Sequence, residues 1–347
     1  MNEHAYRNLV SGKTTGFAAS LARLGLSILS IAYRMVIALR NLLFDSGLRK
    51  PQRTAVPMIS VGNLTTGGTG KTPIVALIVQ MMQEKGLRPA IVSRGYRSVD
   101  GEANDEKLVL ERLCPGVPHE QNASRIAAAS EVTRKNHIDV LVMDDGFQHR
   151  QLHRDLDIVL IDATNPFGYD HLLPRGLLRE PLSSLHRADI VLITRSDMVS
   201  EDAILRIEDA VKCAAPKLAA ATFRVEFRPT GVIDGNGHRY SLTECNKQPV
   251  MLVSGIGNPE AFAETCRRSG MSIVAERWFP DHHPYSPGDL DEISELCRTA
   301  GAVKVVTTLK DLVKLPQSCE FLAIEITAVF SEPIDFEALK SKLPSPP

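Results

Sequence analysis

The stretch Asn63–Pro73, NLTTGGTGKTP, constrains the fold of this chain more than any other. Its end, GGTGKT at 67–72, resembles the loop G-x-x-x-x-G-K-[ST], whose backbone amides bind phosphate between a strand and a helix. The run VPMISV at 56–61 precedes the loop, and apolar residues at helical spacing follow it, from Pro73 to a stop at Gly86. Since Thr65 stands where the general pattern has glycine, the sequence predicts a phosphate loop with an altered entrance.

Short continuous apolar runs recur after this loop, separated by helical or loop segments. Such runs are typical of strands that are buried on both faces of a parallel sheet. They lie at 90–93, 140–143, 158–161 and 190–193. After about Lys217 a second strand–helix series follows, with an alternating run at 221–227 and strands predicted at 250–254, 303–307 and 321–326. The pattern predicts two α/β lobes, with a crevice between them as the binding site.

The segment from Phe17 to Phe44 is apolar but carries three arginines. Its longest uncharged run, Leu24–Tyr33, is too short to span a bilayer, and no signal-peptide cleavage site follows. On a helix, the polar residues form one stripe opposite a wide apolar face: Arg23, Ser27, Ser30, Arg34 and Asn41. The pattern fits a helix in a membrane interface, with arginines at the headgroups, and equally a helix packed on its own domain.

Composition restricts the possible partners and the compartment. The 347-residue chain has a net charge of −1, so no general attraction to nucleic acid or to an anionic membrane follows. Its six cysteines are scattered, with no C-x-x-C pair. This spacing argues against a disulfide framework or a structural zinc site and fits a reducing cytosol.

Two carboxylates, Asp144 and Asp145, end the predicted strand at 140–143. A carboxylate at the tip of a buried parallel strand is where phosphate-loop enzymes hold Mg²⁺, together with the loop hydroxyl, here Thr72. Lys71 would supply a mobile positive charge to the phosphates. An Asp-Asp-Gly turn is the alternative, but the loop at 67–72 makes a nucleotide site the favoured interpretation.

Six motifs then occur in a fixed order: GNLTTGGTGKTP, SRGY (93–96), DDGFQH (144–149), LLREPLSSL (177–185), FPDHH (279–283) and TTLKD (307–311). In these motifs the chain resembles the tetraacyldisaccharide 4′-kinases, the lipid A 4′-kinases of Gram-negative bacteria. The resemblance runs from near residue 20 to near residue 330. That family also carries threonine at the entrance of its phosphate loop, which accounts for Thr65.

The resemblance implies ATP- and Mg²⁺-dependent transfer of a phosphoryl group to the 4′-hydroxyl of a tetraacyl glucosamine disaccharide 1-phosphate in lipid A synthesis. It implies an α/β fold with a P-loop NTPase-like parallel-sheet lobe and a smaller C-terminal α/β lobe that closes over the active site. An N-terminal amphipathic helix would associate with the cytoplasmic face of the inner membrane. The N-terminal helix is expected within residues 1–48, the P-loop lobe at 49–218 and the C-terminal lobe at 219–347. The lipid substrate and the membrane surface are the expected partners, with no nucleic acid and no protein partner implied.

Site residues follow from the same resemblance, position by position. The nucleotide-binding residues would be Thr65, Thr66, Gly67, Gly68, Thr69, Gly70, Lys71 and Thr72. Catalytic roles are implied for Lys71, for Arg125 near the phosphates, for Asp105, which would activate the sugar hydroxyl, for His282, which would support Asp105, and for Asp145. The implied magnesium ligands are Thr72, Asp144 and Glu180. The chain departs from the family at Arg97, Asn104 and Lys107, around Asp105.

Two other classes of function remain open on the residues alone. TRSD at 194–197 follows a predicted strand, as the base-reading N-K-x-D segment does in GTPases, so a P-loop GTPase or metallochaperone is the rival enzyme class. His149, His153 and His171 lack a metal-binding spacing and are better explained as ordinary hydrogen-bonded histidines. A non-catalytic membrane-bound nucleotide sensor would leave the acidic residues without a role.

Overall fold

The computed structural model describes residues 3–95, 105–245, 248–316 and 320–331, so Tyr96, Arg97 and Asn104 lie outside the described part. Within it the helices are α1 (Glu3–Val10), α2 (Phe17–Asp45), α3 (Lys71–Glu84), α4 (Asp105–Leu113), α5 (Arg125–Lys135), α6 (Glu201–Ala214), α7 (Leu242–Cys245), α8 (Pro259–Arg268), α9 (Pro287–Ala300) and α10 (Leu309–Leu312). The strands are β1 (Met58–Asn63), β2 (Pro89–Ser93), β3 (His119–Gln121), β4 (Val140–Asp144), β5 (Leu156–Asp162), β6 (Ile190–Thr194), β7 (Thr222–Asp234), β8 (Arg239–Tyr240), β9 (Pro249–Ser254), β10 (Ser272–Trp278), β11 (Lys304–Thr308) and β12 (Phe321–Phe330).

The chain divides into two compact α/β units that are discontinuous in sequence. Unit 1 comprises Met1–Tyr96, Cys114–Glu226 and Val329–Pro347, and unit 2 comprises Arg97–Leu113 and Phe227–Ala328. The ranges expected from the sequence were contiguous and put Asp105 with the phosphate loop, whereas α4 belongs to unit 2. The reason is burial, because Val109 of α4 packs in the core that also contains Ile233 and Met251.

Unit 1 is built on a parallel sheet with the order β3-β2-β4-β1-β5-β6-β7. Every residue of β1, β2, β4, β5 and β6 is buried, as the continuous apolar runs predicted. The order reverses direction at β1, which lies between β4 and β5. In open α/β sheets ligands bind at the carboxyl ends of the strands at such a reversal, and the loop 64–70 leaves β1 at that end.

The strands of unit 2 follow the order β10-β9-β11-β12-β7, and β9 pairs in parallel with both β10 and β11. The short strand β8 pairs antiparallel with the end of β7. The sequence predicted a strand only to Phe227 and a turn from Gly231. The strand instead continues to Asp234, because its last four residues are buried and Val232 and Ile233 pair with β8.

Helix α2 confirms the predicted helical segment, but its polar stripe does not lie free. Ser30 Oγ donates to Leu172 O at 2.8 Å, and Tyr33 Oη donates to Arg179 O at 2.9 Å. Arg23 Nη1 donates to Thr14 O at 2.8 Å. Arg23 and Arg40 therefore each have a partner within unit 1, and a position of the arginines at lipid headgroups stays a prediction. Polar groups of the stripe pair with unit 1, since an unpaired donor facing protein would lose its hydrogen bond to water.

The opposite face of α2 is apolar and exposed. Its exposed residues are Leu21, Leu24, Ile28, Ile31, Met35, Leu39 and Leu42, each at least 58% accessible. The helix is also long and apolar enough, by length and composition, to cross a membrane. This corrects the expectation that the segment is too short, because the helix has 29 residues and remains apolar on average although arginines interrupt its apolar run.

Candidate active site

The predicted phosphate loop is a tight connection between β1 and α3. Gly67 and Gly70 have positive φ angles of 114° and 84°, a region that glycine populates without steric cost. Gly70 immediately precedes α3, so the helix starts at Lys71, two residues before the predicted start at Pro73. The free backbone amides of this first turn form an anion-binding helix end.

Thr65 occupies an extended position at the entrance of the loop. It forms an antiparallel bridge with Leu178, and the amide of Thr66 donates to Leu177 O at 2.8 Å. Thr65 is not among the positive-φ residues of the described chain. A β-branched residue suits such a strand-like position, so glycine is not needed there.

Asn63 and Asp145 hold the side chain of Lys71. Asn63 Nδ2 donates to Thr69 Oγ1 at 3.0 Å, and Asn63 Oδ1 lies 3.4 Å from Lys71 Nζ. Lys71 Nζ lies 3.5 Å from Asp145 Oδ1. The ammonium group is therefore held beside the loop that the sequence assigned to phosphate binding.

Residues at the end of β6 brace the loop from a second side. Thr194 Oγ1 donates to Thr69 O at 2.9 Å, and Arg195 Nη2 donates to Gly68 O at 3.0 Å. Arg195 also pairs with Asp162 at the end of β5. The TRSD segment thus contacts the loop backbone, and these contacts by themselves do not distinguish a kinase from a GTPase.

Asp144 and Asp145, at the end of β4, differ in backbone conformation and in surroundings. Asp144 lies opposite Val61 of β1 and is buried. Asp145 has a left-handed φ of 53°, and a Cβ on the next residue, Gly146, would lie 2.5 Å from Ser60 Oγ. Glycine at 146 therefore leaves room for the side chains of Ser60 and Met143, and the Asp145 carboxylate lies beside Lys71.

Three cations surround Asp145. Burial alone would raise the pKa of its carboxyl, but Lys71, Arg179 and Arg125 outweigh burial and hold that pKa well below its usual range. Arg179 Nη1 lies 2.9 Å from Asp145 Oδ2, and Arg125 Nη2 donates to Asp145 O at 3.2 Å. Arg125 is itself buried, at the first residue of α5. A cluster of cations beside a helix end is suited to polyphosphate.

Gly62 packs against Phe147 of the same DDGFQH segment. A Cβ on Gly62 would lie 2.6 Å from the backbone nitrogen of Phe147. Gly62 remains within β1, which continues to Asn63. The glycine before the loop therefore serves close packing of β1 on the 144–149 segment.

Glu180 is in contact with α2 through its carboxylate. Its carboxylate has no exposed surface and is bound by Arg40 Nη2 at 2.7 Å, Asn41 Nδ2 at 3.1 Å and Arg187 Nη2 at 2.9 Å. Burial would raise its pKa, but the two arginines and Asn41 outweigh burial and lower it. Because both of its oxygens accept hydrogen bonds, this carboxylate joins α2 to the rest of unit 1. It offers no free oxygen to the predicted magnesium ion.

Asp105 and His282 lie together within unit 2, although 177 positions separate them in sequence. His282 Nδ1 lies 2.9 Å from Asp105 Oδ2 and 3.2 Å from Oδ1. Asp105 also starts α4, where its Oδ1 accepts from the amide of Glu106 at 3.0 Å. The structure therefore brings Asp105 and His282 into hydrogen-bond contact, and the catalytic role of the pair stays a prediction.

Lys310 fixes the orientation of this imidazole. Its Nζ lies 3.1 Å from His282 Nε2 and 2.9 Å from Asp281 Oδ1. An ammonium group only donates, so Nε2 accepts and the ring proton is on Nδ1, where it is donated to Asp105. Burial would raise the pKa of Asp105, but the His282 hydrogen bond and the charges of Lys310 and Lys314 outweigh it and lower that pKa.

The predicted site residues thus form two clusters, one in each unit. Unit 1 holds the loop 65–72 with Arg125, Asp144 and Asp145, and unit 2 holds Asp105 with His282. Lys107, one of the departures near Asp105, lies 3.7 Å from Glu111 on the surface of α4. The first cluster combines a glycine loop with cations suited to phosphate, and the second is a carboxylate–imidazole pair able to accept a proton.

Comparison with known proteins decides which family carries this combination. Residues 22–344 match the family described as LpxK, tetraacyldisaccharide-1-P 4′-kinase. The chain belongs to this family. Its enzyme class is therefore kinase, and the GTPase, metallochaperone and sensor alternatives are not favoured.

Relatives across the tetraacyldisaccharide 4′-kinases agree with this assignment. The enzyme of Halothermothrix orenii is 36% identical over 334 residues, 88% of this chain and 86% of the relative. That of Anaeromyxobacter sp. strain Fw109-5 is 41% identical over 302 residues, 82% and 80% of the two chains. The crystal structure of the "apo" form of LpxK from Aquifex aeolicus in complex with ATP is similar with a TM-score of 0.72 and 27% identity, covering 92% of this chain and 98% of that one.

Two contacts of this kinase were missed by sequence reasoning although their residues stood in motifs already singled out. Arg179, in LLREPLSSL, binds the Asp145 carboxylate. Lys310, in TTLKD, binds His282. Both residues belong to motifs that the sequence analysis singled out. Their partners could not be predicted, because each contact joins residues that are far apart in sequence.

Proposed function

We propose that this kinase transfers the γ-phosphoryl group of ATP to the 4′-hydroxyl of a tetraacylated glucosamine disaccharide 1-phosphate. The observation that carries the proposal is the glycine loop before α3, with Lys71 held at 3.5 Å from Asp145 and Arg125 close by. Membership of the family, and the ATP named in the related LpxK crystal structure, support the nucleotide and the acceptor.

The nucleotide phosphates would be bound by residues 65–72. The amides of the loop and of the start of α3 would donate to phosphate oxygens, and Lys71 would move from Asp145 to the β- and γ-phosphates. Arg125 and Arg179 add charge on the Asp145 side of the loop. Phosphoryl transfer gains mostly from such positioning and charge neutralisation, so these groups would supply the larger part of the catalysis.

Asp105 would orient the acceptor hydroxyl and accept its proton. The acceptor oxygen forms a bond to the γ-phosphorus, the bond from that phosphorus to the β–γ bridging oxygen breaks, and ADP leaves with the electron pair. The hydroxyl proton passes to Asp105. His282 would hold the carboxylate through its Nδ1 proton, and Lys310 would hold the imidazole in that tautomer.

The residues present fit a magnesium ion only in part. Within the described residues no group of three or more His, Cys, Asp or Glu forms a metal site. Thr72 in the first turn of α3 and Asp144 at the end of β4 are oxygen donors, which Mg²⁺ prefers, and phosphate oxygens would complete its coordination. Bound there, the ion would neutralise charge on the phosphates. Glu180 is left out of this proposal, since two arginines hold its carboxylate.

The direct test compares ATP and GTP as phosphoryl donors to a lipid A disaccharide precursor. We expect phosphate transfer to the 4′-position with ATP, and turnover with GTP lower by at least about tenfold, the discrimination one unsatisfied base contact provides. The product is identified by mass spectrometry of the lipid. GTP hydrolysis without lipid phosphorylation would indicate the GTPase class, and nucleotide binding with no turnover would indicate a sensor.

We also propose that α2 lies in the surface of the cytoplasmic leaflet of the inner membrane. Contacts to unit 1 run from Arg23 to Asn41, over about 27 Å of helix at 1.5 Å per residue, so one face is held by protein along most of its length. A helix crossing the bilayer would lose these contacts. Its exposed apolar face can enter the acyl boundary, and a lipid with several acyl chains can then be reached without leaving the bilayer.

Glutamates on the exposed face of α2 should weaken membrane binding. For the double variant Ile28→Glu/Met35→Glu we expect the partition onto anionic vesicles to fall by more than about tenfold, since each buried apolar side chain contributes about 2 kcal/mol. Co-sedimentation measures the effect. Leu205→Glu, on an exposed position of α6, is the matched control. Truncating α2 would be a poor test because it strips Arg40 and Asn41 from the buried Glu180. Unchanged co-sedimentation of the double variant would show that this face does not enter the bilayer.

A further inference from the structure

Helix α1 lies outside the part of the chain that the family match covers, which begins at residue 22. The helix nevertheless packs on unit 1, because Leu9 and Val10 at its end are only 8% and 3% exposed. No sequence pattern gave this segment a role. Its position relative to the phosphate loop suggests one.

Several hydrogen bonds hold α1 and the turn after it against the rest of unit 1. Tyr6 Oη lies 2.9 Å from Pro174 O and 3.0 Å from Gly176 O, and Arg175 Nη1 donates to Val10 O at 3.1 Å. From α2, Arg23 Nη1 donates to Leu9 O at 3.3 Å. A helix of eight residues is not stable by itself. Hydrogen bonds at both its middle and its end therefore hold α1 in place on the rest of unit 1.

The segment beneath α1 is the one that holds the phosphate loop. Leu177 O accepts from the amide of Thr66, and Leu178 pairs with Thr65, directly after the carbonyl groups that bind Tyr6. The helix, this segment and the loop entrance therefore form one hydrogen-bonded stack. Movement of α1 relative to the loop would break bonds in it.

Arg7 extends from α1 to the loop itself. A Cβ built on Gly67 would lie 3.5 Å from Arg7 Nη2, so the guanidinium group reaches the glycine at the entry half of the loop. Gly67 has no side chain to separate this group from ligands, and its φ of 114° excludes most other residues. Arg7 is partly exposed.

We propose that Arg7 binds the terminal phosphoryl group of the nucleotide held by the loop, as an arginine supplied by the N-terminal helix. The inference rests on the proposed ATP-dependent function. Lys71 approaches the loop from the start of α3, whereas Arg7 approaches it from the entrance, where the γ-phosphate lies in loops of this kind. Charge on the transferring group spreads over its oxygens in the transition state, and a planar guanidinium can bind two of them.

The experiment measures ATP and ADP affinity by calorimetry with Mg²⁺, and turnover with the lipid acceptor, for the full chain. Arg7→Met removes the charge, Arg7→Lys keeps a charge without the planar fork, and Lys13→Gln removes an exposed cation of the same N-terminal segment as the matched control. We expect Arg7→Met to weaken ATP binding or lower turnover by about ten- to a hundredfold, the effect of one hydrogen bond to a charged group. ADP affinity should stay within about threefold, as for surface substitutions generally.

The outcomes separate the inference from the function on which it rests. Partial recovery in Arg7→Lys, with Lys13→Gln like wild type, would support a charge acting on the terminal phosphate. Equal losses for ATP and ADP would mean that Arg7 only supports the loop, and unchanged binding and turnover in Arg7→Met would mean that it does not reach the nucleotide. Either result overturns the inference. Absence of lipid phosphorylation by the wild-type chain would instead overturn the proposed function.

Discussion

Replacing Lys71 by alanine should lower the turnover number for lipid phosphorylation by about a thousandfold, the upper range for losing one group that stabilises transition-state charge. Lys71 is the first residue of α3, and its Nζ reaches Asn63 Oδ1 and Asp145 Oδ1 at 3.4 and 3.5 Å. In the reaction its charge would follow the negative charge that develops on the β–γ bridging oxygen. No other lysine stands at the start of α3 to replace it.

The fold should survive this substitution. Asp145 retains Arg179, whose Nη1 is 2.9 Å from Oδ2, so its carboxylate is not left without a cation. Lys71→Arg should recover little, because the larger planar group does not fit a site for a point charge. The control is Lys135→Ala, which removes an exposed lysine that pairs with Glu131 on the surface of α5. Turnover of Lys71→Ala within about tenfold of wild type would contradict the phosphate-loop role.

Asp105→Asn and His282→Ala should each lower turnover by about a hundred- to a thousandfold while ATP affinity changes little, since general-base catalysis typically contributes this much. The two side chains are in hydrogen-bond contact at 2.9 Å and would act as one unit. The double variant should therefore lose little more than the more damaged single variant. His238→Ala, which removes a largely exposed histidine of unit 2, is the control.

The pH profile distinguishes a catalytic pair from a structural contact. The His282 hydrogen bond is among the contributions that lower the pKa of Asp105 against the opposing effect of burial. Without His282 that pKa rises, so the acidic limb of kcat/KM should move to higher pH in His282→Ala, because the carboxylate protonates earlier. Asp105→Asn should lack this limb. Additive losses, or an unmoved acidic limb, would assign activation of the hydroxyl to another group, and Asp145 would be tested next.

The sequence by itself determined the phosphate loop and the buried strands of both units. These features depend on local rules: Gly67 and Gly70 allow backbone angles that other residues avoid, and runs such as 158–161 suit only a strand covered on both faces. The boundaries moved where a local contact decided them, by two residues at the start of α3 and by seven at the end of β7. Helix α3 starts at Lys71 because Gly70 already caps it, and β7 extends to Asp234 because β8 pairs with it.

Only the tertiary structure decided which charged groups meet. The polar stripe of α2 fits a headgroup-binding face, yet Asn41 of this stripe and the adjacent Arg40 bind Glu180, about 140 positions away in sequence. The tertiary structure also brings Lys310 to His282, 28 positions away, and Arg7 close to Gly67 of the phosphate loop. A charged side chain is long and has many possible partners. The position of the residue in the sequence does not indicate which of these partners it contacts. The partner depends on which distant segments pack together. Burial of α4 in the core of unit 2, for example, places Asp105 beside His282.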